Sequence, residues 1–187
     1  MQPAATSGLA IDVAGGAAEI DDFDAVVRQY WARVFRFALA SLRDRDAAET
    51  VAQDCFWKAW QGRGRFRGEC SLQTWLMQIV VNLVRDRVRS RRLQFWKSAV
   101  DIDVAAHWMP DAGASPEARA ATIERVEAVW RATARLPEKQ RTVFLLRFVE
   151  EMEVLEIAAV TGLKEGTVKI HLYRALETVR KRTGGRG

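Results

Sequence analysis

Residues 66–92, "FRGECSLQTWLMQIVVNLVRDRVRSRR", give one predicted helix two different faces. The side chains of the first face are apolar and spaced by threes and fours, as expected for 3.6 residues per turn. They are Leu72, Trp75, Leu76, Ile79, Val80, Leu83 and Val88. The second face is polar and basic, and it consists of Gln78, Asn82, Arg85, Arg89 and Arg92. The first face predicts burial in a core, and the second predicts contact with an anionic partner or with water.

The composition around this helix predicts an all-α protein. The chain has 187 residues, of which 49% are hydrophobic and 28% charged, as is typical of globular proteins. Period-two alternation is nearly absent, and no Asn-Gly or Asp-Gly pair indicates a β-hairpin. We expect two small helical domains, a bundle at 21–92 and a helix-turn-helix domain at 115–187. A linker at 93–114 joins them, and a mobile tail at 1–20 precedes them.

The positive charge of the chain is concentrated around the opening helix. The formal net charge is +5, whereas residues 62–97 alone hold nine basic and two acidic side chains. Residues 137–187 hold a smaller excess, with ten basic and seven acidic side chains. Clustered basic charge is typical of proteins that bind nucleic acid.

Cofactor and metal sites are not predicted. Cys55 and Cys70 have no CxxC partner, only two histidines are present, and both thiols are expected to be reduced. No glycine-rich nucleotide motif and no Ser/His/Asp or Cys/His constellation emerges, so an enzyme is not expected. No apolar run reaches transmembrane length, and the first residues lack the basic start of a signal peptide. We therefore expect a soluble cytoplasmic protein.

A second motif lies at residues 155–176, "LEIAAVTGLKEGTVKIHLYRAL". Ala158, Gly162 and Val168 fit a helix-turn-helix, which needs a small residue, a glycine at the turn and a β-branched residue between its helices. The second helix would then enter the major groove with its N-terminal residues at base edges. A helical hairpin with a glycine turn and no DNA contact is the alternative.

Three stretches resemble the extracytoplasmic-function (ECF) sigma factors, and they occur in that family's order. "AAETVAQDCFWKAW" at 47–60 is similar to the stretch that grips the clamp helices of the RNA polymerase largest subunit. Residues 66–92 are similar to the stretch that opens the promoter and reads its −10 element. Residues 136–176 are similar to the C-terminal region that reads the −35 element. The resemblance covers about 22–92 and 115–183.

The resemblance implies roles for individual residues. Those expected to bind core polymerase are Glu49, Gln53 and Asp54. Those expected near the pocket for a flipped −10 base are Phe66, Met77 and Asn82, with Arg85, Arg89, Arg91 and Arg92 on phosphates. Those expected to contact the −35 element are Thr167, Lys169, His171, Tyr173 and Arg174. Independently of the resemblance, the amphipathic helices of the first domain make Trp31, Trp57, Trp60 and Trp75 candidates for its core.

Some positions depart from the family pattern. Thr50 and Ala52 stand where the family usually has Asp and Val. In the second helix of the motif, Ile170 replaces the usual Ser, and His171 and Leu176 replace Arg. The run "VKIHL" is similar to LuxR-type regulators. For His171, a phosphate contact and a surface position on the helix are both open.

The expected partners are core RNA polymerase, promoter DNA and an anti-sigma factor, with no small-molecule substrate. One alternative is an autonomous helix-turn-helix regulator, which leaves the basic helix at 71–92 unexplained. Another is an enzyme or a helical adaptor without DNA. The acidic cluster of Glu150, Glu151 and Glu153 lacks histidine and metal-ligand spacing, so we interpret it as a solvated turn.

Overall fold

A computed structural model of the chain describes residue 20 and the ranges 22–94 and 116–184. These residues contain helices and no strand, which confirms the all-α prediction. The α-helices are α1 (Phe23–Leu42), α2 (Arg45–Gly62), α3 (Leu72–Gln94), α4 (Pro116–Ala134), α5 (Glu138–Phe148), α6 (Val154–Thr161) and α7 (Glu165–Arg182). Most of the predicted tail and linker lies outside the described residues. Of the tail only Ile20 is described, and it is buried; of the linker only residues 93 and 94 are described. No helix in the described part is long and apolar enough to cross a membrane.

Polar side chains start the first three helices. The Asp22 Oδ1 atom accepts a hydrogen bond from the Ala25 amide at 3.0 Å, and Asp44 Oδ1 accepts one from the Ala47 amide at 3.0 Å. Ser71 Oγ accepts one from the Thr74 amide at 3.1 Å, so Ser71 caps α3. Each bond satisfies an amide that has no partner within its own helix.

Helices α1, α2 and α3 form the first group and share an apolar core. Phe37 and Leu76 are almost fully buried, and the Trp31 ring stacks on Phe56 with centroids 5.7 Å apart. Both cysteines are free thiols. Cys55 donates to the Leu76 carbonyl oxygen at 3.6 Å, and burial raises the pKa of its thiol to about 12. Cys55 is therefore an unreactive part of the core.

Helices α6 and α7 form the predicted helix-turn-helix. Gly162 follows α6 with φ of 71°, and its amide donates to the Ala158 carbonyl oxygen at 2.9 Å. Val168 is fully buried, as expected for the residue between the two helices. The glycine and the valine thus have the local roles that the sequence predicts.

Gly162→Ala is expected to lower the free energy of unfolding by about 1–2 kcal/mol, because L-residues disfavour the left-handed region. A Cβ atom at Gly162 would meet no atom within 4 Å, so the cost is one of backbone conformation alone. Gly166→Ala is the matched control, since it also fills open space but lies within α7. Gly166→Ala should raise the free energy of unfolding by about 0.5 kcal/mol. Urea denaturation followed by circular dichroism measures both, and effects of the same sign would contradict this account.

The two groups of helices are in direct contact. Helix α6 packs on α3, and α5 packs on α1. Gln78 Nε2 on α3 donates to the Ala159 carbonyl oxygen on α6 at 3.1 Å. Met77, Val81 and Val84 are buried in addition to the predicted apolar face, because the second group covers another side of α3.

Candidate nucleic-acid interface

Helix α7 has one exposed face, whose positions recur with the helical period. It consists of Gly166, Lys169, Ile170, Tyr173, Arg174 and Glu177. Tyr173 is 70% exposed and Ile170 is 52% exposed. Of the predicted −35 contacts, Lys169, Tyr173 and Arg174 lie on this face, whereas Thr167 and His171 are half-buried beside it. We call these six residues the outer face of α7.

His171 points away from the outer face and lines a cavity between the two groups of helices. Its Nδ1 atom is buried and has no hydrogen-bond partner among the described residues. Burial lowers the pKa of His171, and the positive charges of Lys139 and Arg174 lower it further. Of the two roles left open for this residue, a cationic phosphate contact is therefore the less favoured.

The lowered pKa of His171 makes stability depend on pH. The unfolded chain binds this proton near the ordinary value of 6.5, but the folded chain resists it. Stability from this residue is therefore complete above 6.5 and is lost as the pH falls through the lowered folded value. His171→Gln should flatten the change in Tm between about pH 7.5 and about pH 5.5. The Tm values of the wild type and of His171→Gln at about pH 8, where both side chains are neutral, show any effect of altered packing alone. If the Tm of His171→Gln depends on pH as that of the wild type does, His171 is not the source of the pH dependence.

The cavity has a volume of about 640 Å³ and lies between α3 and the second group. Arg85 and Arg89 line it from α3, and Lys139 lines it from α5 together with the acidic Glu138. Two of the arginines expected on −10 phosphates therefore face the second group of helices. Asn82 is exposed on the same helix, and the side chains of Arg91 and Arg92 lie outside the described residues.

The structure corrects one predicted −10 residue. Met77 is only 1% exposed, because α3 is covered on two sides, so it is a core residue and not a base contact. Phe66 is partly buried, with its ring tilted against Trp75 at a centroid distance of 5.0 Å. Trp75 is partly buried against the core, in agreement with its assignment.

Helix α2 exposes the three residues expected to bind polymerase, Glu49, Gln53 and Asp54. Trp57 is 61% exposed and lies one turn beyond Gln53 on that side of the helix. Trp60 is 40% exposed and carries the Arg63 guanidinium 3.4 Å from its ring centroid. The prediction that Trp57 fills the core was therefore wrong. The prediction for Trp60 was partly right, because its ring also packs edge-on against Phe23 with the ring centroids 5.2 Å apart.

Glu150 is the one member of the predicted solvated cluster that is buried, at 2% exposure. Arg36 Nε donates to its Oε1 atom and Arg36 Nη2 to its Oε2 atom, both at 3.2 Å. Arg33 Nε lies 3.4 Å from Oε2. Burial raises the pKa of Glu150, and the hydrogen bonds and charges of the arginines offset this only in part. Since both arginines are on α1, this carboxylate joins the two groups of helices.

Two family descriptions match the chain, one for each group of helices. "Sigma-70 region 2" matches residues 26–94, and "Sigma-70, region 4" matches residues 126–179. The RNA polymerase sigma-H factor of Pseudomonas aeruginosa is 32% identical over 85% of this chain and 84% of its own length. The ECF RNA polymerase sigma factor SigW of Bacillus subtilis is 28% identical over 86% of this chain and 88% of its own length.

Two solved structures share the fold. One is the sigma factor RpoE in complex with the anti-sigma factor NepR from Bartonella quintana, with a TM-score of 0.70, 22% identity and coverage of 88% and 98% of the two chains. The other is CnrH in complex with the cytosolic domain of CnrY, with a TM-score of 0.65, 21% identity and coverage of 94% and 96%. The two family matches and the sequence relatives show that the chain belongs to the ECF family of RNA polymerase sigma factors. Sigma factors are not enzymes in the catalytic sense.

Glu150 is the functional candidate that sequence reasoning missed. Its neighbours Glu151 and Glu153 are exposed, and one glutamate in an acidic run carries no local sign of burial. A pair of arginines one turn apart on α1 is compatible with a buried carboxylate partner, but their spacing does not identify which carboxylate it is.

Proposed function

We propose that this chain binds core RNA polymerase and directs it to promoters that carry −10 and −35 elements. The observation that carries the proposal is the presence of exposed basic side chains on two separate helices of one sigma-factor chain, Arg89 on α3 and Lys169 and Arg174 on α7. The two helices belong to different groups. An autonomous helix-turn-helix regulator would need only the second surface.

The acidic side of α2 is the proposed contact with core polymerase. Glu49, Gln53 and Asp54 are exposed there, and neither Gln53 nor Asp54 makes a hydrogen bond or ion pair with another described residue. They are therefore available to a basic partner surface without breaking an interaction with the described part of the chain. The exposed indole of Trp57 adds apolar area, of the kind that is enriched at protein interfaces.

The exposed side of α3 is the proposed contact with the −10 element. A base flipped out of the duplex costs a few kcal/mol, which stacking and hydrogen bonds in a pocket must offset. Asn82 has donors and acceptors for a base edge, and Phe66 has an aromatic ring. Arg89 is exposed and would hold a phosphate, as would Arg91 and Arg92 further along the helix. Arg85 is half-buried at the cavity and is the weakest member of this set. We leave Met77 out of this surface.

The outer face of α7 is the proposed contact with the −35 element. Lys169 and Arg174 supply charge, and Tyr173 supplies a hydroxyl and a ring. Thr167 lies near the start of the helix, where residues of a recognition helix approach base edges. His171 is the weakest member of the predicted set, since it lines the cavity.

Regulation by an anti-sigma factor is also part of the proposal. The fold relatives RpoE and CnrH were each solved in complex with a partner protein, NepR and the cytosolic domain of CnrY. In this chain the two groups of helices touch each other directly, so a partner inserted between them would have to replace that contact. As a subunit of polymerase, the chain would act in the cytoplasm.

Run-off transcription tests the proposed function. The purified chain is added to core polymerase on pooled genomic promoter fragments, and the chain alone is tested for binding to the same DNA by gel shift. Transcripts that need both proteins are expected, and they also provide the promoter sequence. Tight sequence-specific binding by the chain alone, without transcription from core enzyme, would instead favour an autonomous regulator.

A further inference from the structure

We propose that Ile170 reads the 5-methyl group of a thymine in the −35 element. The inference rests on the proposed function and adds a specificity-determining residue to it. Ile170 lies in the middle of the outer face of α7 and is 52% exposed. The residues around it on that face are Lys169, Tyr173 and Arg174.

Nothing in the fold accounts for an isoleucine at this position. More than half of its surface is in water, so it adds little to the core, whereas Val168 on the opposite side is fully buried. A β-branched residue also favours a helix less than alanine or lysine does. An exposed apolar side chain in the middle of a DNA-facing surface therefore points to an apolar feature of the ligand.

The major groove offers one such feature on its base edges. The thymine C5-methyl group is the apolar element of the base-pair code, and adenine, guanine and cytosine present hydrogen-bonding groups there instead. Ile170 has no donor or acceptor in its side chain, so it cannot pair with those groups. Contact with a thymine methyl removes apolar surface of both partners from water.

The neighbouring side chains favour a base edge over the phosphates as the contact of Ile170. Lys169 and Arg174 flank it with positive charge, and Lys164 lies just before α7. Cations at these positions suit the two phosphate backbones on either side of the groove. His171, the next residue, is turned towards the cavity and does not compete for the same base.

The test uses deoxyuridine, which differs from thymidine only by the absent methyl group. Each thymine of the −35 element, on either strand, is replaced singly by deoxyuridine in a promoter found by run-off transcription. Promoter affinity is then measured by competition for holoenzyme made from core polymerase and the full chain. For the wild type, one replacement should lower affinity about three- to fivefold, the amount expected for one buried methyl group.

The variant Ile170→Ala should bind thymine and deoxyuridine promoters equally at that position, while its circular dichroism spectrum stays unchanged. Ile123→Ala on α4 is the matched control, since it makes the same change at an exposed isoleucine outside α7, and it should retain the wild-type preference. The proposal is overturned if no thymine shows the preference, or if Ile170→Ala keeps it. Absence of any promoter-directed transcription would instead overturn the proposed function, and this inference with it.

Discussion

Asp54→Lys combined with Gln53→Ala is expected to lower the affinity for core RNA polymerase by at least about tenfold, because like charges brought together in an interface repel each other. Both side chains are exposed, so the stability of the fold should change by no more than about 0.5 kcal/mol. Fluorescence anisotropy of the labelled chain with core enzyme measures the affinity. Glu124→Lys reverses an exposed charge on α4 and is the matched control, expected to bind normally.

A complementary pair of changes separates polymerase binding from DNA binding. Arg85→Ala with Arg89→Ala should leave the affinity for core polymerase intact and weaken promoter binding. The slope of log affinity against log salt concentration should fall by about 1 to 2, roughly one for each phosphate that the variant no longer neutralises. If the Asp54 and Arg89 sets of variants behave alike in both assays, the proposed division between α2 and α3 is wrong.

Glu150→Lys is expected to disrupt the contact between the two groups of helices. The change places an ammonium group against two guanidinium groups, where a buried carboxylate now accepts bonds from Arg36. Removal of one partner from a buried ion pair costs about 3 kcal/mol or more, and charge repulsion adds to that cost. We expect a lower Tm together with a larger radius of gyration in small-angle X-ray scattering.

Two further variants show whether the effect belongs to the ion pair. Glu151→Lys makes the same change at the next residue, which is exposed, and should leave both the Tm and the radius of gyration near those of the wild type. The charge swap Glu150→Arg with Arg36→Glu should recover part of the missing stability. A Glu150→Lys protein as compact and as stable as the wild type would show that the carboxylate does not hold the groups together.

The features that the sequence predicts well depend on near neighbours in the chain. Ser71 caps a helix through an amide three residues away, and Gly162 closes a turn over four residues. The helix-turn-helix follows from such spacings. The outer face of α7 was predicted in part, since Lys169, Tyr173 and Arg174 lie on it as the helical period indicates, whereas Thr167 and His171 do not.

The features that the sequence did not predict depend on contacts between distant parts of the chain. Arg36 and Glu150 are 114 positions apart, so no local pattern links them. Met77 and His171 were expected on DNA surfaces because the pattern of a single helix does not show the neighbouring group that covers it. Trp57 shows the opposite error, since a large aromatic residue was assumed to be buried and the structure leaves it exposed.

The contact between Glu150 and the arginines of α1 is intramolecular. A separate protein that binds in its place must therefore compete with a group of the same chain. Dilution cannot separate two groups that belong to one chain, so their association is independent of protein concentration. The binding of a separate protein that displaces this contact does depend on concentration, because its occupancy is set by its own concentration relative to its Kd. The cell can therefore tune that competitor by changing its abundance, whereas the strength of the internal contact changes only by mutation or by a change in solution conditions.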